Sequence, residues 1–171
     1  MIKQTILLLV ISVILGLGVN LVSPNSIPYI GKYRELSNGD GPIVPPSAEA
    51  GDPPFIAIDV AEMEHGWGKA IFVDARDPEE FNCSTIPGSI NLPFDYLPDE
   101  NIGAYIDSAL NFPAKDKPII VFCSGEECDL SLHMARNMQA FGYANVSIFF
   151  GGSREWENFD LPMTRGGECA E

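Results

Sequence analysis

Ile119, Ile120, Val121 and Phe122 form an unbroken run of β-branched and aromatic side chains, and this run narrows the folds open to the chain. Such a run suits a strand covered on both faces, as in the centre of a parallel sheet, better than a strand with one wet face. Around it the chain alternates short apolar runs with helical spacing. Residues 55–59, 70–74, 89–92 and 146–150 read as four more strands, which predicts a mostly parallel five-stranded sheet. Helices are predicted over 61–67, from Asp77, over 102–112, over 129–141 and over 154–159. Asp77-Pro78-Glu79-Glu80 has the residues of a helix start: a capping carboxylate, proline at the first helical position and a glutamate at the third. Leu130, Met134, Met138 and Phe141 recur at helical spacing and should face the core, as should Ile102, Tyr105, Ile106, Ala109 and Leu110. Trp67 and Trp156 lie in apolar patterns that predict packing roles. Strands alternating with helices imply an α/β domain with helices on the faces of the sheet.

The segments before residue 55 differ in character. Residues 6–22 are almost wholly apolar and uncharged, with Lys3 ahead of them. At 1.5 Å per residue this length covers most of a bilayer core. A cation on the near side would leave the rest of the chain outside the cytoplasm, facing the periplasm in a bacterium. An N-terminal transmembrane helix is the expectation, with partners in the membrane through residues 6–22. A cleaved signal segment, giving a secreted domain, is the rival. Residues 23–54 hold seven of the chain's fourteen prolines and read as a spacer, with 27–36 as a possible short ordered piece. The expected organisation is a segment 1–22, a linker 23–54, a domain 55–163 and a tail 164–171. A formal net charge of −14 argues against nucleic acid as a partner, because phosphate binding needs clustered Lys and Arg.

Cys123 follows directly on the central apolar run and opens the segment Cys123-Ser124-Gly125-Glu126-Glu127-Cys128 ahead of the helix. In open α/β sheets, ligands bind beyond the carboxyl ends of strands. A thiol there meets backbone N–H groups and a positive helix end, which favour thiolate. Position alone leaves two readings of equal weight: a nucleophile, or a small apolar residue closing a strand. Ser124 and Gly125 would contribute backbone N–H groups. Glu126 and Glu127 would raise the thiol pKa against the helix effect.

With these residues in view, residues 55–163 resemble the rhodanese-like sulfurtransferase family. The resemblance lies in FVDARDPEEF (72–81), IPGSINLPF (86–94), PIIVFCSGEEC (118–128) and GYANVSIFFGGSREWENFDLPM (142–163), in the family's order and spacing. It implies a rhodanese-like α/β fold and a reactive Cys123. That residue would accept a sulfane sulfur as a persulfide and pass it to a thiol acceptor. No cofactor is implied. The partners implied are a sulfur donor and a thiol acceptor, small molecules or proteins. Asp74 and Arg76 match a recurrent motif and would order loops near the site, with Glu80 as the predicted partner of Arg76.

Two departures change the chemistry implied. Active members often carry Arg in the loop, notably at its end; here the loop has none, its last position is Cys128, and acids stand at 126 and 127. Polysulfide or a protein persulfide therefore fits better than dianionic thiosulfate. Ser84 and Thr85 also stand where the family usually has Gly-His. Cys128 opens a second reading, a thiol–disulfide couple with Cys123, and the loss of Arg a third, a non-catalytic interaction module. A phosphatase reading fails, because Asp129 stands six residues after Cys123 where that chemistry needs Arg. With Cys83 and Cys169 the cysteines number four, and sequence leaves their pairing open. His65 and His133 are not at ligand spacing with these cysteines, so no metal site is expected. His133 reads as a surface or packing residue.

Overall fold

The computed structural model describes residues 2–22, 41–126 and 128–166, without the side chains at 2, 3, 7, 8, 10, 14 and 20–22. The possible ordered piece at 27–36, Glu127 and Cys169 lie outside these residues. Two units are distinguished, residues 1–34 and 35–171. The first contains one helix among its described residues, α1 (Ile2–Val22). Among the described residues no helix is long and apolar enough to cross a membrane, so the expected transmembrane helix is not borne out by α1.

The second unit runs α2 (Ile58–Trp67), β1 (Ile71–Asp74), α3 (Pro78–Cys83), β2 (Ser84–Thr85), β3 (Ile90–Asn91), α4 (Ile102–Ala109), β4 (Ile119–Phe122), α5 (Leu130–Ala140), β5 (Val146–Phe149), α6 (Gly152–Asn158) and β6 (Thr164–Arg165). Four strands form a parallel sheet in the order β3-β1-β4-β5, with Ile71 paired to Ile119 and Ile119 to Val146. The predicted fifth strand at 55–59 is corrected to a single bridge, Phe55 with Ile148. From Ile58 the chain coils into α2, whose apolar Ile58 and Ala61 are buried, so helix formation wins over further pairing. A separate antiparallel pair joins β2 to β6, which brings the predicted tail residues Thr164 and Arg165 against Ser84 and Thr85.

β4 shows why the sheet is covered on both sides. Side chains alternate across a strand. Ile119 and Val121 join Val73, Ile148 and residues of α4 and α5 in one core. Ile120 and Phe122 join Phe72, Phe149, Ile58, Ala61 and Trp156 in the other. All four residues of β4 are buried, as the unbroken apolar run predicts. The start of α3 is also as read: the Asp77 carboxylate accepts the Glu80 N–H at 2.9 Å, with Pro78 first in the helix.

Three packing expectations are corrected. Trp67 is 57 % exposed, because α2 ends at it and Gly68 turns the chain away through a left-handed conformation. Phe141 is 40 % exposed as the residue capping α5, although Met134 and Met138 are fully buried. Tyr105 is 39 % exposed, while Ile106 and Leu110 fill the core. On the other side of the predicted linker boundary, Ile43 is buried in the first core. Arg136 of α5 donates to the Asp52 carboxylate at 2.7 and 2.9 Å and to the Ser47 carbonyl at 3.0 Å, which ties this segment to the helix following the cysteine loop. That hydrogen bond holds the Asp52 carboxyl below its ordinary pKa.

Trp156 is 1 % exposed, packs edge-on against Phe72 and Phe149, and donates its indole N–H to the Pro162 carbonyl at 2.9 Å. Replacing it with Ala should cost about 3–5 kcal/mol through lost burial and the cavity left behind. Urea unfolding of the two proteins checks this; a difference below about 1 kcal/mol would mean that the second core collapses around the gap.

Candidate active site: a two-thiol loop beyond β4

The loop leaves β4 at Cys123 and enters α5 at Leu130, at the carboxyl end of the parallel sheet where ligand crevices form. Its backbone is fixed from below by α6. The Ser153 N–H donates to the Cys123 carbonyl at 2.9 Å and the Arg154 N–H to the Ser124 carbonyl at 3.1 Å. This approach requires glycine at 152. A Cβ there would lie 2.2 Å from the Cys123 oxygen, and its φ of 61° is one that side chains avoid. Gly125, at φ 149°, faces the Gly151 carbonyl and the stem of Arg154 in the same way. The Cys128 N–H closes the loop on the Gly125 carbonyl at 2.9 Å.

Cys123 and Cys128 are both free thiols and are brought together. Cys123 is fully buried. Its sulfur lies 2.8 Å from the Cys128 carbonyl, 3.5 Å from the Ser131 hydroxyl and 3.9 Å from the Gly125 carbonyl. Burial first, and the neighbouring Cys128 second, push its pKa well above the ordinary thiol value. Cys128 is half-buried. The neighbouring Cys123 thiol first, and then the Leu130 and Ser124 backbone N–H groups and the Ser124 hydroxyl, bring its pKa down to about 6 against the effect of burial. Burial thus works against a thiolate at Cys123, whereas the Cys128 pKa is drawn down.

The remaining site residues fall as follows. Ser124 supplies N–H and hydroxyl to Cys128, and Gly125 supplies an N–H to Cys123. The carboxylate oxygens of Glu126 are buried in the loop. Asp74 and Arg76 form a buried pair at the end of β1, with Nε to Oδ1 at 2.9 Å and Nη2 to Oδ2 at 2.6 Å. The predicted partner of Arg76, Glu80, is corrected to Asp74, because Thr85 and the Ser84 carbonyl complete a closed network around the two charges. Burial works against the Arg76 charge, yet the bonds from Asp74 and the nearby Cys123 keep its pKa above the ordinary value. Neighbouring loops hang on the same strand end: Asn91 donates to the Asp74 and Arg76 carbonyls. His133 is exposed and packs beside Phe94, as read.

Two residues went unnoticed in the sequence. Ser131 is fully buried with its hydroxyl at Cys123, and its signal was a polar side chain one residue into a helix otherwise facing the core. Arg154 is exposed and lays its stem against Gly125, bringing a cation to the edge of a loop that carries none in its own sequence. Cys83 is disulfide-bonded. Its partner is neither Cys123 nor Cys128, both of which are free, and the Gly166 N–H donates to its carbonyl at 3.1 Å. Among the described residues no cluster of His, Cys, Asp and Glu has the makings of a metal site.

Thiol alkylation should report the pair directly. Between pH 4 and 8 the rate of Cys128 modification by iodoacetamide should rise to a plateau with a midpoint of about 6, because only thiolate reacts, while buried Cys123 reacts far more slowly. In Cys123→Ala the midpoint should move upward, since the largest stabiliser of the thiolate is gone. Peptide mass spectrometry of quenched samples measures both; equal rates at the two positions would refute the assignment.

Comparison with known proteins agrees with this architecture. The profile of the Rhodanese-like domain matches residues 58–159. The Escherichia coli protein YibN is 33 % identical over 98 residues, covering 57 % of this chain and 62 % of YibN. The mitochondrial thiosulfate sulfurtransferase RDL2 of Saccharomyces cerevisiae is 30 % identical over 101 residues, covering 55 % of this chain and 64 % of RDL2. The match thus spans less than two thirds of the length of these relatives. Among solved structures, a thiosulfate sulfurtransferase from Pseudomonas aeruginosa superposes with a TM-score of 0.53 at 22 % identity, over 69 % of this chain and 21 % of that one. EanB in complex with hercynine gives 0.57 at 23 % identity, over 67 % of this chain and 28 % of that one. On the profile match, the parallel α/β sheet and the cysteine loop beyond its central strand, the chain belongs to the rhodanese-like family.

Proposed function

We propose that this protein is a sulfurtransferase that holds sulfane sulfur as a persulfide on Cys123 and takes it from polysulfide or a protein persulfide rather than from thiosulfate. The observation that carries the reading is Cys123 at the end of β4, buried in a closed loop that brings a second free thiol, Cys128, beside it with its carbonyl 2.8 Å from the Cys123 sulfur. Cys128 gives the buried Cys123 a place to send its proton when it attacks a sulfane donor, so the nucleophile is generated inside the loop. Family membership and the sulfurtransferase relatives support the same chemistry. The donor preference rests on the acids at 126 and 127, which disfavour a dianion beside the sulfur. Arg154 offsets part of that repulsion from the loop edge.

Treatment of the reduced protein with polysulfide should add about 32 Da, one sulfur atom, at Cys123, and Cys123→Ser should abolish the addition. Intact and peptide mass spectrometry reads both. An unchanged yield in the variant would sink the reading, and thiosulfate loading as well as polysulfide would remove the donor preference.

We also assign residues 6–22 to membrane attachment, with the domain outside the cytoplasm. The apolar run and the lysine ahead of it support this, and a disulfide at Cys83 suits an oxidising compartment. The full chain should sediment with membranes after alkaline carbonate extraction, and a chain beginning at residue 24 should stay in the supernatant. Full-length protein in the supernatant would count against the anchor.

A further inference from the structure

A persulfide on Cys123 has two sulfur atoms open to attack, and the loop treats them differently. Attack on the outer sulfur passes it to an acceptor. Attack on the inner sulfur, Sγ of Cys123, breaks the sulfur–sulfur bond and leaves a disulfide. That inner sulfur is sealed from solvent: Cys123 is 0 % exposed and is covered by the Cys128 carbonyl, Ser131 and Gly125. Once the persulfide has formed, its outer sulfur occupies the route by which the donor reached Cys123, so an external thiol meets the outer sulfur first. Cys128 is half-buried on the same closed loop, with its carbonyl 2.8 Å from that sulfur.

Building on the sulfur-transfer reading above, we propose that Cys128 is a resolving nucleophile: its thiolate attacks Sγ of the Cys123 persulfide, forms the Cys123–Cys128 disulfide and expels hydrosulfide. The protein then acts as a thiol-dependent reductase of sulfane sulfur. The two cysteines supply the two electrons that take the sulfane sulfur to hydrosulfide. The outer sulfur of the neutral persulfide keeps its proton on leaving, and the proton that Cys128 received from Cys123 on loading has by then passed to solvent from its half-buried sulfur. A dithiol, or two equivalents of a low-molecular-weight thiol, reduces the disulfide and is itself oxidised, closing the cycle.

Several features prepare Cys128 for this step. The Ser124 and Leu130 N–H groups and the Ser124 hydroxyl hold its sulfur at the start of α5, an eleven-residue helix. The lowered pKa keeps it ionised at neutral pH, when the attack would occur. The loop is short and closed by the Cys128 N–H on the Gly125 carbonyl, which keeps the two cysteines on one turn of chain.

The test uses the full chain, reduced and freed of reductant, mixed with one equivalent of inorganic polysulfide. Wild type should form the Cys123–Cys128 disulfide and, counted per sulfur loaded on Cys123, release hydrosulfide at least tenfold faster than Cys128→Ser, in which whatever sulfur is loaded should stay on Cys123 until an external thiol is supplied. Methylene-blue assay reads the hydrosulfide, and peptide mass spectrometry reads the persulfide and the disulfide. A wild type that keeps its persulfide and forms no disulfide overturns the inference and leaves sulfur transfer standing. So does equal release by the variant, provided circular dichroism shows it folded; an unfolded variant is replaced by Cys128→Ala, while the disulfide mapping in wild type still decides. A wild type that takes up no sulfur overturns the sulfur-transfer reading and this inference together.

Discussion

Two backbone hydrogen bonds hold the site in place, from Ser153 to the Cys123 carbonyl and from Arg154 to the Ser124 carbonyl. They turn the carbonyls at the start of the loop toward α6 and away from the sulfurs. The Ser124 and Gly125 N–H groups are left to face the thiols, and acidity follows from which sulfur they reach. The contact depends on the absence of a single Cβ at Gly152. Because α6 is anchored by Trp156 in the second core, the loop geometry rests on packing on the face of the sheet opposite α5.

The buried Asp74–Arg76 pair plays the matching role at β1. Removing one partner of such a pair leaves a desolvated charge, at a cost of about 3–5 kcal/mol, so the network holds β1, β2 and β3 in one arrangement. It also places a permanent cation within electrostatic reach of Cys123. The loop is thus bordered by positive charge, Arg76 inside and Arg154 at the rim, although its own sequence is acidic.

Much of the fold was legible in the sequence, because short apolar runs, helical spacing and the Asp77-Pro78 start are local signals. The central strand, the order of elements and the position of Cys123 follow from them. What was not legible depends on distances across the fold. Whether Phe55 begins a strand or makes one bridge is settled by the competition with α2. Arg76 has Glu80 and Asp74 at comparable sequence separation, and only the approach of Ser84 and Thr85 selects Asp74. The exposure of Trp67 and Phe141 comes from their places at helix ends, which periodicity does not mark. The identity of the thiolate was hidden for the same reason. The lowering of the Cys128 pKa comes first from the Cys123 thiol, and spacing alone does not show that the loop brings the two groups together.

The alternation of β4 also carries an arithmetic. Cys123 follows Phe122 and so continues the parity of Ile119 and Val121, the side covered by α5, where it meets Ser131. Inserting or deleting one residue between Pro118 and Cys123 would preserve an apolar strand yet send the thiol to the side of Trp156, away from Ser131 and the α5 N–H groups. The number of residues between the start of β4 and its cysteine is therefore constrained to even changes, while the connections entering β4 from α4 are under no such rule.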